Sequence, residues 1–438
     1  MSPPDSRITR RHVLSTLGSA GAVALAGIGP SMVRAQGGAA GRVVVVGGGF
    51  GGATAARYLK LFNPSLDVTL VEPAARFFTC PFSNLVLGGL RSMDQIGHGF
   101  DGLRAVGIKV IAEAAADVDS TGRTLALSGG GKLHWDKLVL SPGIDMRWGA
   151  IAGYDEVASL LAPHAWKAGP QTILLKSQLE AMPDGGLVIL SVPANPYRCP
   201  PGPYERVSMI AHYLKANKPK SKILVLDAKE SFSKQSLFVD GWKKFYDGMI
   251  EWVPSTKDGT VLRVEPKALE VETEFGQRHK ASVLNVIPPQ KAGLIAERAG
   301  TVDKSGWVPV KAMSFESSLV PDIYVVGDAS IAAPMPKSAF CANAQAKVAA
   351  AAIVAVLAGQ SMPQASWANT CYSLIAPDYG ISIAGVFDVQ DNKIAEVKGS
   401  VGISPRDADA AYRKHEAEYG ASWYKAISMD TWGEAAGS

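Results

Sequence analysis

The residues of this chain with the strongest chemical character are a spaced glycine run, an acid that follows it, and four cysteines. Gly47, Gly49 and Gly52 stand at G-x-G-x-x-G spacing, between valines 43–46 and an alanine-rich stretch. That spacing suits a pyrophosphate. The first glycine makes a tight turn, the second lets the backbone approach the phosphates, and the third lets helix and strand pack closely. The free N–H groups of the helix that opens there hold the negative charge. The next apolar run, residues 68–71, ends in Glu72, where a carboxylate can accept hydrogen bonds from a pair of ribose hydroxyls. Strand, glycine loop, helix and terminal acid in this order predict a dinucleotide-binding unit.

The cysteines have distinct surroundings. Cys80 lies in Phe77-Phe78-Thr79-Cys80-Pro81-Phe82, an aromatic, proline-broken loop that should run back towards the nucleotide. Cys199 lies in Ala194-Asn195-Pro196-Tyr197-Arg198-Cys199-Pro200-Pro201-Gly202-Pro203, where a second α/β unit would carry its own glycine loop. Prolines lack the N–H groups that cradle a pyrophosphate, which argues against NAD(P) as electron partner. Cys341 falls in a helical stretch and reads as a buried thiol. Cys371 follows in Asn369-Thr370-Cys371-Tyr372-Ser373. Four cysteines are too few for a disulfide scaffold in 438 residues, and no C-x-x-C, c-type haem motif or metal site occurs. Individual cysteines are therefore free to carry chemistry.

The elements that position these residues form an α/β pattern with two Rossmann-like units and a C-terminal α+β domain. The expected division is 1–35, an export signal; 36–152, the first nucleotide-binding unit; 153–288, a second Rossmann-like unit whose nucleotide loop is lost; 289–361, a return to the first unit; and 362–438, a domain closing over the cofactor. Short strands are expected over residues 103–112 and 124–127. Longer ones are expected at 137–140, 186–193 and 222–227, with a helix at 204–216. Residues 322–329 read as a strand ending in Gly327-Asp328, followed by a helix over 338–357. The apolar core of that helix, 348–357, is too short for a membrane span. Trp423 and Trp432 near the end read as packing residues.

The first 35 residues contain Thr9-Arg10-Arg11-His12-Val13-Leu14, an apolar stretch, and Val33-Arg34-Ala35. This is the pattern of a cleaved twin-arginine export signal, which implies a periplasmic protein. The whole chain carries +4, most of it on residues 1–35. The remainder is near neutral, which gives no reason to expect nucleic acid or an anionic membrane as partner.

Together these stretches resemble the flavoprotein subunit of flavocytochrome c sulfide dehydrogenase, within the disulfide-reductase-like flavoproteins. The likeness rests on residues 43–56, the Thr79-Cys80 loop, residues 198–205, Val326-Gly327-Asp328-Ala329, Pro334-Met335-Pro336-Lys337-Ser338 and residues 369–373. It implies FAD as cofactor, bound through Gly47, Gly49, Gly52, Glu72, Gly327 and Asp328. It also implies a thioether from Cys80 to the flavin 8α carbon. Cys199 and Cys371 match a redox-active disulfide, and Glu205 a proton acceptor. The implied activity is oxidation of hydrosulfide to sulfur or polysulfide, with electrons passed to a c-type cytochrome subunit or a soluble cytochrome c. A sulfide:quinone oxidoreductase, and a flavin electron-transfer or reactivating module of a sulfur-oxidising system, are the alternatives.

Overall fold

The structure is a computed structural model, and it describes residues 41–433; the export signal expected over 1–35 lies outside the described residues. Three blocks of secondary structure surround one cavity. The first is a five-stranded parallel sheet ordered Ile323–Val325, Lys137–Leu140, Arg42–Val46, Asp67–Val71, Lys109–Ile111. Val43 and Val45 are fully buried beneath the helix Phe50–Phe62. Each such side chain contributes about 1.5–3 kcal/mol on leaving water. Arg42–Val46 pairs with strands on both sides, so the chain crosses over in opposite directions from it. The crevice at the carboxyl ends of such strands is where open α/β sheets bind ligands.

The second block is a four-stranded parallel sheet, Ile250–Val253, Lys222–Asp227, Leu187–Val192 and Val283–Val286. The helix Gly202–Asn217 connects its two central strands, with Pro203 in the first turn, where its missing N–H costs nothing. The third block is the long hairpin Ser366–Ala376 and Tyr379–Gln390, crossed by the helix Ala410–Trp432. Two-dinucleotide-domain α/β architecture with a C-terminal α+β domain is therefore the fold.

Two details differ from the sequence reading or extend it. Residues 103–112 are not one strand: Asp101–Ala105 is helical and only Lys109–Ile111 joins the sheet. Asp101 favours that helix's N-terminus, and Gly107, at φ 83°, reverses the chain between the two pieces. The helix Ala339–Leu357 is, as a whole, long and apolar enough to cross a membrane. Here it packs against Phe50–Phe62 on one side and Ser366–Ala376 on the other, as a core helix.

The C-terminal helix is tied back to the nucleotide loop. Tyr58 donates to Asp430 at 2.7 Å, and the Trp432 indole N–H donates to the Gly48 carbonyl at 3.0 Å. Trp432 is fully buried and stacks on His98, with ring centres 4.2 Å apart.

Candidate active site: a cavity joining the glycine loop to two thiols

A cavity of about 880 Å³ opens where the three blocks meet. The glycine loop forms one end. Gly47 takes φ 100°, a conformation L side chains rarely adopt, and a Cβ there would strike the Ser141 carbonyl. Gly52 lies behind the wall, and a side chain there would strike the Gly47 carbonyl. The helix Phe50–Phe62 begins at Gly49 with no side-chain cap and no acid in its first turn. Its unpaired N–H groups are thus left for an anion entering the cavity. Glu72 lines the same end and accepts the Gly48 and Ala74 N–H groups at 2.7 and 2.9 Å. An uncapped helix start, a glycine wall and a carboxylate at the strand end fit the diphosphate and ribose of FAD.

Arg198 is the hub of the middle of the cavity. Its Nε donates to Asp328 Oδ2 at 2.5 Å and its Nη1 to the Cys80 sulfur at 3.3 Å. One guanidinium therefore joins the Gly327-Asp328 turn to the Cys80 loop. Sequence reading quoted Arg198 as part of a motif without giving it a role. Gly327 and Asp328 both line the cavity, with the Gly327 N–H held by Gln345 at 2.8 Å. Lys337, left unassigned from sequence, is not a solvated surface charge. It donates to the carbonyls of Asp328 (2.6 Å) and Ser330 (2.9 Å), and its ammonium sits 3.8 Å from the Trp307 ring centre. Burial pulls it down to about 8.

Cys199 and Cys371 reach the cavity from different blocks, one from the proline loop and one from the C-terminal hairpin, and both stand as free thiols. Cys199 takes φ 57°, a left-handed conformation costing about 1–3 kcal/mol at a residue with a Cβ. Its N–H donates to the Lys337 carbonyl and its carbonyl accepts from Gly202, both at 2.8 Å, so the loop holds it there. Burial pushes both thiols up; the nearby Lys234 ammonium pulls both back, and a hydrogen bond from Asn369 pulls back Cys371 alone. Glu205, in the first turn of Gly202–Asn217, accepts the Leu374 N–H and an Asn84 amide N–H, each at 2.9 Å. Burial raises its carboxyl against those two bonds, which suits a group that must take up a proton. Cys341 is a buried thiol, bonded to Asn369 Oδ1 at 3.3 Å.

The second unit's own nucleotide position is filled from within. Asp227 ends its strand as Glu72 follows the first unit's, but it is fully buried. It accepts from the Tyr204 hydroxyl (2.6 Å), the Trp252 indole (3.0 Å) and the Lys229 ammonium (2.5 Å). That carboxylate is buried and already holds three donors. Lys234 and Asp227 were both missed from sequence, because their partners lie in distant segments; Lys234 is 137 residues from Cys371.

Comparison with known proteins places the chain among sulfide-oxidising flavoproteins. Residues 172–288 match the family model of the central region of the sulfide dehydrogenase [flavocytochrome c] flavoprotein chain. Residues 363–432 match the flavin-binding region of flavocytochrome c sulphide dehydrogenase, and residues 41–167 match the pyridine nucleotide-disulphide oxidoreductase family. The chain is 69% identical, over 45 residues, to the sulfide dehydrogenase [flavocytochrome c] flavoprotein chain of Chlorobaculum thiosulfatiphilum, covering 10% of this chain and 94% of that relative. It is 23% identical over 330 residues to the mitochondrial sulfide:quinone oxidoreductase of Mus musculus, covering 70% of this chain and 69% of the relative. In fold it resembles the sulfide:quinone oxidoreductase of Aquifex aeolicus, with TM-score 0.67 and 18% identity over 90% of this chain and 93% of the other. The chain belongs to the flavocytochrome c sulfide dehydrogenase flavoprotein family, and is a sulfide-oxidising flavoprotein oxidoreductase.

Proposed function

We propose that this protein oxidises hydrosulfide at a Cys199–Cys371 disulfide and delivers the electrons, through FAD, to a c-type cytochrome outside the chain. The observation that carries the reading is the convergence of both cysteines, Glu205, Cys80 and the glycine loop on one cavity. Hydrosulfide attacks one sulfur of the disulfide; the S–S bond breaks, giving a cysteine persulfide and a free thiolate. Glu205 takes the proton of the incoming sulfide. A second hydrosulfide attacks the persulfide and leaves as HSS⁻, with Cys199 and Cys371 both thiolates; their S–S bond re-forms as two electrons depart, so that in sum two HS⁻ become HSS⁻, one proton and two electrons. Bound FAD would supply a two-electron acceptor able to give up electrons singly. Gly47, Gly49 and Gly52 would make room for its diphosphate, Glu72 would bind its ribose, and Gly327 with Asp328 would line its ribityl chain. Cys80 would hold it by a thioether, and Arg198 donates a hydrogen bond to that sulfur.

Asp227 is consumed internally and the Cys199 loop is rich in proline, so a nicotinamide nucleotide is not the acceptor. We place the mature protein in the periplasm, exported already folded by residues 1–35, where a cytochrome subunit or soluble cytochrome c takes the electrons. The likeness to sulfide:quinone oxidoreductases supports a second reading, with a quinone as acceptor. The deciding experiment mixes purified protein with sulfide under anaerobic conditions and follows flavin absorbance, then adds cytochrome c or a soluble quinone. Bleaching in the wild type that is lost in Cys199→Ser, with reoxidation by cytochrome c, is expected. Equal bleaching in Cys199→Ser overturns the disulfide route, and reoxidation by quinone alone moves the acceptor to the second reading.

A further inference from the structure

Behind the cavity wall at Cys371 lies a buried cation. Lys234 is 5% exposed, and its ammonium donates to the Cys371 carbonyl and to Ser373 Oγ, both at 2.9 Å. The Ile381 carbonyl is a weaker acceptor at 3.5 Å. Among the described residues no carboxylate lies within ion-pair distance of it. The titratable groups that face it are Cys371, Glu205, Cys199 and Glu416, and burial pulls its ammonium down to about 8, so the charge is present at neutral pH. Its backbone is left-handed, φ 60°, at the start of the helix Gln235–Phe245. A desolvated ammonium held beside a thiol by neutral oxygens is costly unless an anion forms next to it.

Asn369 supplies an independent observation on the same sulfur. Its Oδ1 accepts from Ser338 Oγ at 2.7 Å and from the Cys341 thiol at 3.3 Å, which fixes the amide orientation. Its Nδ2 then faces the Cys371 sulfur at 3.5 Å. Among the described residues no hydrogen-bond donor reaches the Cys199 sulfur. The two sulfurs therefore have unequal support for negative charge.

We propose that Lys234 is a positioning residue that, with Asn369, holds the Cys371 sulfur as the thiolate of the pair. The proposal rests on the disulfide reading above and assigns its two halves. Hydrosulfide bonds to the Cys199 sulfur; the Cys199–Cys371 bond breaks; its electron pair leaves on Cys371. The products are a Cys199 persulfide and a Cys371 thiolate, with the hydrosulfide proton passed to Glu205. No outside oxidant enters this step.

The test reduces the protein with dithiothreitol, removes the reductant, and follows alkylation by iodoacetamide against pH, assigning each cysteine by peptide mass. In the wild type at pH 7, Cys371 is expected to react at least tenfold faster than Cys199. In Lys234→Met its rate falls tenfold or more and its pH profile moves to higher pH, while Lys234→Arg restores both in part. Faster reaction at Cys199 in the wild type overturns the proposal even when Lys234→Met fails to fold. So does a folded Lys234→Met whose Cys371 rate and pH profile match the wild type. The order of alkylation does not depend on turnover. Absence of sulfide-driven bleaching in the wild type therefore sinks the functional reading separately.

Discussion

Replacing Asp227 with Asn tests whether the second unit's nucleotide position has become purely architectural. In the native protein Oδ2 accepts from Tyr204 and Trp252, and Oδ1 accepts from Lys229. An asparagine can keep its oxygen towards the first two donors, which turns its NH₂ towards the Lys229 ammonium. Lys229, 9% exposed at the side chain, then keeps the Pro193 carbonyl at 3.1 Å and the Tyr197 and Tyr204 rings, 4.9 and 5.9 Å away. Breaking one partner of a buried pair costs about 3–5 kcal/mol. Burial already lowers the Lys229 ammonium, so deprotonation limits the loss to the low end, about 3 kcal/mol, or roughly 150-fold in the folding equilibrium. Lys229→Met alone leaves the carboxylate with two donors and is expected to cost about 2 kcal/mol. The double variant removes both charges and should be more stable than the sum of the single effects by about 2 kcal/mol. Urea unfolding followed by tryptophan fluorescence measures all three, with Trp252 reporting from the cluster itself. A double variant whose loss is the sum of the single losses, or an Asp227→Asn within 1 kcal/mol of wild type, would refute the reasoning. None of the three variants touches the flavin cavity, so sulfide-driven bleaching should be unchanged and NADH should remain inert.

Other outcomes follow from the same geometry. Glu205→Gln puts an NH₂ against either the Leu374 N–H or the Asn84 amide, and removes the proton acceptor. Its kcat/KM for sulfide should fall roughly 10²–10⁴-fold. Since the Glu205 carboxyl is raised, wild-type kcat/KM should rise with pH through that ionisation, a limb the variant should lack. Cys80→Ser should release its flavin into the supernatant on acid precipitation while the wild type retains it; release from both removes the thioether. His164 accepts the Trp166 N–H on Nδ1 at 2.9 Å, and burial drops it to about 3 from an ordinary 6.5. The unfolded chain thus binds the extra proton first, and this group's contribution to stability is lost as pH falls from about 6.5 towards 3. His164→Asn keeps an acceptor without the titration, and its acid unfolding midpoint should lie lower than wild type; an unchanged midpoint would refute the assignment.

Much of the fold was legible in sequence because its signals are local. Valines 43–46 and the run at 222–227 are continuous apolar stretches, the form a strand takes when both faces are covered. Gly47, Gly49 and Gly52 were readable because close backbone approach admits no other side chain. The short segment 101–105 was misread because five residues carry too little periodicity to separate a helical turn from a strand. Cys80, Cys199, Cys371 and Glu205, which line one cavity, are singled out through the resemblance and the rarity of cysteine, and not through any pattern that pairs them.

By itself the sequence determined the parallel α/β architecture, the nucleotide loop with its acid, and the loss of a second such loop to prolines around Cys199. These are properties of backbone geometry, and a handful of neighbouring residues imposes them. Only the tertiary structure decided which charges share the cavity. Arg198 meets Asp328 and Cys80 across 130 and 118 residues, and Lys234 meets the Cys371 strand across 137. Trp432 reaches the Gly48 carbonyl across 384. Buried polar groups must find partners wherever packing brings them, and no spacing along the chain records that requirement.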